Sequence, residues 1–201
     1  MTHSQFSVLL CLVISVLGLN ACSPLGMATG AGAATGIAAA REGGIKQSFT
    51  DTRINADISD RWFKYDLSTF ANLNITVNQG RVLLTGVVQD PEDRVEAVRL
   101  AWKVDGVEQV INEIRIADSA GFTGYLKDSW ISTKLRTSMT FDKQIQSINF
   151  SIDTVQGVVY LMGVAHTEEE LDRVKALARS TSNVKQVVSY VKMAGSENNG
   201  T

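Results

Sequence analysis

Apolar residues in this chain fall into three kinds of stretch. Residues 8–19 (VLLCLVISVLGL) form one unbroken apolar run. Farther on, apolar positions recur every fourth residue at Ile54, Ile58 and Trp62, and again at Ile131, Leu135 and Met139. That spacing lays each set along one face of a helix. The third kind is short and rich in β-branched residues. It predicts strands over 74–78 and 82–87, and over 151–154 and 158–164, with Gly80 or Gly157 in the turn between. Second helices are predicted over 91–104 and 168–180, and final strands over 107–116 and 184–193. Pro91 suits a first helical turn, and Asp90 or Thr167 can cap.

The same order of elements occurs twice. Sliding the chain by 77 residues brings Asn72 onto Asn149, Ile75 onto Ile152, Gly80 onto Gly157, Leu84 onto Leu161 and Gly86 onto Gly163, with no gap. Two homologous units follow, over 51–117 and 125–194. The expected fold class is α+β, each unit αββαβ, with a small mixed sheet and both helices packed on one face. Residues 117–124 (ADSAGFTG) read as a linker, and 195–201 as a disordered tail.

The front of the chain is a different polymer. Every Asp, Glu, Lys and Arg lies beyond position 40, beginning with Arg41. The run at 8–19 is too short to cross a bilayer, which takes about 20 residues. It fits the apolar region of a signal peptide spanning 1–21, although MTHSQF carries no Lys or Arg. Leu19-Asn20-Ala21-Cys22 resembles the bacterial lipobox. The resemblance implies cleavage before Cys22 and acylation there, which gives a stable anchor. With Ser23 next, it implies sorting to the outer membrane. The alternative is a short uncleaved segment with an incidental Cys. Residues 22–50 then read as a lipidated Cys and a Gly/Ala-rich tether. Gly26/Gly30 and Gly32/Gly36 also have the small-xxx-small spacing of membrane helix contacts.

Net charge is −2, without the basic excess that phosphate-backbone binding needs, so no nucleic-acid partner is expected. Cleavage would remove Cys11 and His3 and leave an acylated Cys22 and His166. That excludes a disulfide within the mature chain and leaves one near-neutral base, set in a strand-to-helix turn. The acids at 168–170 suit a helix start. We expect no enzyme, no metal, no cofactor and no small-molecule substrate.

The repeated units resemble the BON domain. The resemblance rests on the strand-internal Gly in VLLTG and VVYLMG and on GVEQVIN and NVKQVVS, over about residues 50–193. Unit two departs at Asn183, where unit one has Gly106; Asn tolerates positive φ well. A signal peptide, lipobox and two such units resemble the dual-BON outer-membrane lipoproteins, with the soluble periplasmic dual-BON proteins as relatives. That family ascribes membrane binding to the first helix of the second unit, including a Trp in WIxTK. Trp130-Ile131-Ser132-Thr133-Lys134 matches that pattern.

Differences between the copies point the same way. Trp130 aligns with Arg53, which predicts an exposed position. Residues 125–146 carry a net +2, and 49–70 a net −1. An exposed Trp beside Lys suits a membrane–water interface. The expected contact with an anionic phospholipid membrane is Trp130, Lys134 and Arg136 with Leu135 and Met139. Supporting envelope integrity from the periplasmic face is the expected role. Two alternatives stand: Trp130 packed between the units, and a protein-interaction or chaperone-like module that pairs client or envelope proteins with an open sheet edge. Trp102 reads as a domain contact or a rim residue, and Tyr125 as linker packing.

Overall fold

The computed structural model describes residues 41, 43–117 and 122–196. The first unit runs α1 (Gly44–Phe70), β1 (Leu73–Asn78), β2 (Arg81–Val88), α2 (Pro91–Ala101) and β3 (Gln109–Ile116). The second runs α3 (Phe122–Phe141), a 3₁₀ turn (Ser147–Asn149), β4 (Phe150–Val155), β5 (Val158–Ala165), α4 (Glu168–Ser180) and β6 (Gln186–Met193). Residues 1–21, expected to be a signal peptide, Cys22 and residues 197–201 lie outside the described residues.

Both four-residue stripes face a core. Ile54, Ile58 and Trp62 pack with Phe70, Val82, Leu84 and Ala97; Ile131, Leu135 and Met139 pack with Phe150, Val159, Leu161 and Val174. The Trp62 indole donates to Ala97 O at 3.2 Å, so its one polar atom is satisfied inside the core. α1 begins at Gly44, so residues 44–50, read above as tether, are helical. Gln47 reaches Asp51 at 3.1 Å across one turn there, and Thr50 and Thr52 bond the carbonyls four residues back. Near its end, Asp66 leaves the helical conformation (φ −162°, ψ 110°). Its carboxylate then caps a last turn by accepting from Ser68 N at 2.8 Å and Thr69 N at 3.3 Å. The caps on the second helices are as expected: Asp90 accepts from Glu92 N and Thr167 from Glu170 N. α2 stops at Ala101, before the expected 104, and continues as turns, with Val104 N donating to Ala101 O.

Each sheet places its second strand in the middle. β2 is antiparallel to β1 and parallel to β3, and β5 relates to β4 and β6 in the same way. The tight turns are Gln79–Gly80 (φ 53° and 72°) and Gln156–Gly157 (φ 53° and 80°). Positive φ at both positions matches the strand twist. Asn183 takes φ 70° where Gly106 takes 93°, so Asn serves at that turn. The strand-internal glycines have a steric cause. A Cβ on Gly86 would lie 2.2 Å from Asn72 O, and on Gly163 2.0 Å from Asn149 O.

β2 and β5 are buried along their whole length. Val82, Leu84 and Val88 face the helices of unit one, while Leu83 and Val87 face the other way. In unit two, Val159, Leu161 and Ala165 face the helices, and Val158, Tyr160 and Met162 face the other way. The second set from each unit forms one cluster. The two sheets therefore pack face to face between two outer helix layers. Near-continuous apolar runs are the pattern of strands covered on both sides.

Candidate membrane-contact site

α3 presents one face to its core and the other to solvent. Ile131, Leu135 and Met139 are 0–1% exposed. This corrects the expected contact: Leu135 and Met139 are core residues and lie on the side opposite the outer surface. Residues next to each other in sequence are about 100° apart around a helix, so Lys134 and Arg136 flank a buried Leu135.

The outward face carries Leu126, Trp130, Thr133, Thr137 and Phe141, spaced by three and four. Trp130 is 47% exposed and Phe141 81%. Trp130 lies on the outer helix layer, and the face between the units is built by the sheets instead. Lys134 Nζ stands over the Trp130 ring, 4.8 Å from its centroid. That is cation–π geometry between neighbours one turn apart. Arg136 lines a shallow groove of 280 Å³ with Ser132, Thr133, Thr137, Thr140 and Phe141. Three of those hydroxyls are engaged: Ser132 with the Thr154 hydroxyl at 2.7 Å, Thr137 on Thr133 O and Thr140 on Arg136 O.

The acids of this segment are committed elsewhere. Asp128 is buried and accepts from Gln156 N at 2.6 Å and Gly157 N at 2.8 Å. Asp142 accepts from Gln144 N at 3.0 Å and from Arg173 Nε at 2.5 Å. Those bonds, the Gln144 amide first, hold its carboxyl below the usual range. Lys127, Lys134, Arg136 and Lys143 are exposed and form no ion pair among the described residues. The outer surface of α3 is thus more cationic than its sequence total.

Asp128 was missed as a structural residue, although the repeat carries the signal. Its counterpart Asp51 accepts from Gln79 N at 2.9 Å and Gly80 N at 3.0 Å. Asp, Gln and Gly recur together at the 77-residue offset. In both units a helix carboxylate holds the tight turn whose Gln has positive φ.

The other singled-out residues have structural settings. His166 donates its backbone N–H to Glu170 Oε2 at 2.8 Å, and its ring Nε2 lies 3.1 Å from Asn149 Nδ2. Trp102 is exposed at the end of α2, a rim residue of unit one, and Tyr125 is exposed instead of packed. Among the described residues, no helix is long and apolar enough to cross a membrane.

The BON domain model matches residues 50–118 and 127–195. The chain belongs to the BON-domain family. Its two BON units coincide with the repeat and with the two sheets. The chain is 38% identical over 148 residues to a protein of Anaplasma centrale known as "Uncharacterized protein in gshII 5'region", covering 73% of this chain and 97% of that one. It is 30% identical over 120 residues to "Outer membrane lipoprotein DolP" of Haemophilus influenzae, covering 60% and 62%. It is 25% identical over 144 residues to "Osmotically-inducible protein Y" of Escherichia coli, covering 71% and 72%.

Proposed function

We propose that this BON protein is a non-enzymatic envelope lipoprotein. Acylated Cys22 anchors it to the periplasmic face of the outer membrane. Its second BON unit binds anionic phospholipid through α3, and in doing so it supports envelope integrity. No cofactor or small-molecule substrate enters this reading.

The observation that carries it is the outward face of α3: exposed Trp130 on one face with Leu126 and Phe141, beside Lys134 and Arg136, with the nearby acids already engaged. A Trp ring is favoured at the bilayer interface. Each basic residue close to an anionic surface contributes about 1 kcal/mol. The lipobox and the likeness to a DolP lipoprotein support the location.

The test is co-sedimentation of the soluble chain 23–201 with vesicles. Binding to anionic vesicles, weak binding to neutral ones, and loss in Trp130→Glu are the expected results. Equal binding to both vesicle types, or full binding by the variant, refutes the reading.

One observation favours a protein-interaction role as a second reading. β1 is an edge strand, and beside it α1 leaves a 630 Å³ groove lined by Trp62, Phe63, Phe70 and Leu73. An extended client segment could add to such an edge. Capture of client proteins that survives Trp130→Glu distinguishes this role from lipid binding.

A further inference from the structure

The face between the two units has an internal two-fold symmetry. Glu113 and Tyr190 occupy the same position in the two copies, 77 residues apart, and they touch: the Tyr190 hydroxyl donates to the Glu113 carboxylate. A residue that meets its own counterpart lies on a symmetry axis. Other contacts agree. β1 approaches β5 as β4 approaches β2, and the counterparts Leu83 and Tyr160 share the central apolar cluster.

The polar contacts break that symmetry. Thr85 Oγ1 donates to Asp153, whereas the counterpart positions hold Met162 and Thr76. Arg115 Nε lies 3.4 Å from Tyr160 Oη and its Nη1 3.5 Å from Gln156 Oε1. The counterparts of Arg115 and Tyr160 are Lys192 and Leu83, and Leu83 has no polar side-chain atom to offer. Arg81, 6% exposed, donates to Gln109 Oε1 and Tyr190 O, each at 3.0 Å, and its counterpart is Val158.

We propose that the inner sheet faces are a heterotypic docking surface: unit one accepts a unit two and rejects a second unit one. The rejection follows from the axis. Two copies of unit one would set Glu113 against Glu113 in a half-buried site, and Arg115 against Leu83 in place of the Tyr160 hydroxyl. Two copies of unit two would leave Asp153 facing Met162, without the Thr85 donor. Like charges set together in a half-buried site, and polar groups that lose their partners there, are unfavourable. Specificity here comes from what the wrong pairing would bury. The partner this surface fits is the other unit of the same chain, which keeps two sheet faces from joining between molecules.

The axis makes the inference testable by exchange. Tyr190→Glu places Glu opposite Glu, the unit-one pairing, inside a single chain. Glu113→Tyr places Tyr opposite Tyr. The exchanged chain carrying both substitutions restores a Tyr–Glu pair with its polarity reversed. Urea unfolding of chain 23–201 should show at least a tenfold drop in the folding equilibrium constant for Tyr190→Glu. The exchanged chain should recover to within about threefold of the parent. An exchanged chain no better than the product of the two single effects overturns the proposal. If Tyr190→Glu does not fold, the isosteric cycle of Glu113→Gln and Tyr190→Phe reads the same contact. There, non-additivity of at least threefold is expected, and additive effects overturn the proposal.

Discussion

α1 and α3 are the same helix written twice, and their two sides have diverged to different degrees. The inward sides match: Ile54, Ile58 and Trp62 in one, Ile131, Leu135 and Met139 in the other, all in the core. Asp51 and Asp128 hold equivalent turns. The outward sides share little. Where α3 has Leu126, Trp130, Thr133, Thr137 and Phe141, α1 has Phe49, Arg53, Ala56, Asp60 and Lys64. Arg53 is used within its own unit, donating to Asp105 O at 3.2 Å, and Lys64 pairs with Asp60. The lesson is a division of labour: the inward side meets the needs of the fold, and the outward side is free to acquire a partner. Packing restricts volume to within about a methylene, whereas solvated positions tolerate most changes within about 0.5 kcal/mol.

The strongest challenge to this division is a change at a position the copies share. Gly163→Ala and Gly86→Ala each drive a methyl into a backbone carbonyl. Each should cost about 3 kcal/mol or more, read as a large fall in the unfolding midpoint, with neither unit spared. Next come the turn-holding carboxylates. Asp128→Ala removes a charged acceptor from two amides and should cost about 2–3 kcal/mol in urea unfolding. Asp51→Ala should cost less, because that carboxylate is only half-buried. A third experiment transplants the outward side. Arg53→Trp with Asp57→Lys puts the Trp130–Lys134 pair onto α1. It should raise anionic-vesicle binding several-fold while shifting stability by about 0.5 kcal/mol or less. A large loss of stability would mean that the outward side of α1 is also structural.

The smallest effect is confined to unit one. Asp66 has Lys143 as its counterpart, so the cap it forms has no equivalent on α3. Bonds from Ser68, then Thr69, hold its pKa at about 2, below the ordinary 3.8. A lowered carboxylate pKa contributes stability that is present above the ordinary value and lost as pH falls through the folded one. Asp66→Ala should therefore weaken the chain slightly at pH 7 and not at pH 2, flattening the acid limb between about pH 4 and 2. Helix content against pH measures it.

Much of the fold was legible because it is periodic. The two stripes, the β-branched runs and the 77-residue repeat located every helix and strand of the two units, but not the 3₁₀ turn. Residues 44–50 and 122–124, read as tether and linker, are the first turns of α1 and α3. Asn183 was legible as a positive-φ position because Gly106 stands in the other copy. The candidate site was legible in part. Trp130 stood out by contrast with Arg53, and it is exposed. Leu135 and Met139 do not belong to the contact, because adjacency in sequence is not adjacency on a helix surface, and the four-residue stripe by itself places both inside. The additional apolar residues Leu126 and Phe141 follow from that same helical spacing once Trp130 is taken as the centre.

By itself, then, the sequence determined how many units there are, which residues turn inward, and where the chain turns: these follow from local periodicity, side-chain shape and allowed backbone angles. Only the tertiary structure decided what each inward face meets. Nothing local distinguishes Leu84, against its own helices, from Leu83, against the other sheet. Nor does the sequence show that Asp142 is taken up by Arg173 or that Tyr190 meets Glu113. Those partners lie far apart along the chain, and a charge or hydroxyl acquires its partner only when packing closes the distance between them.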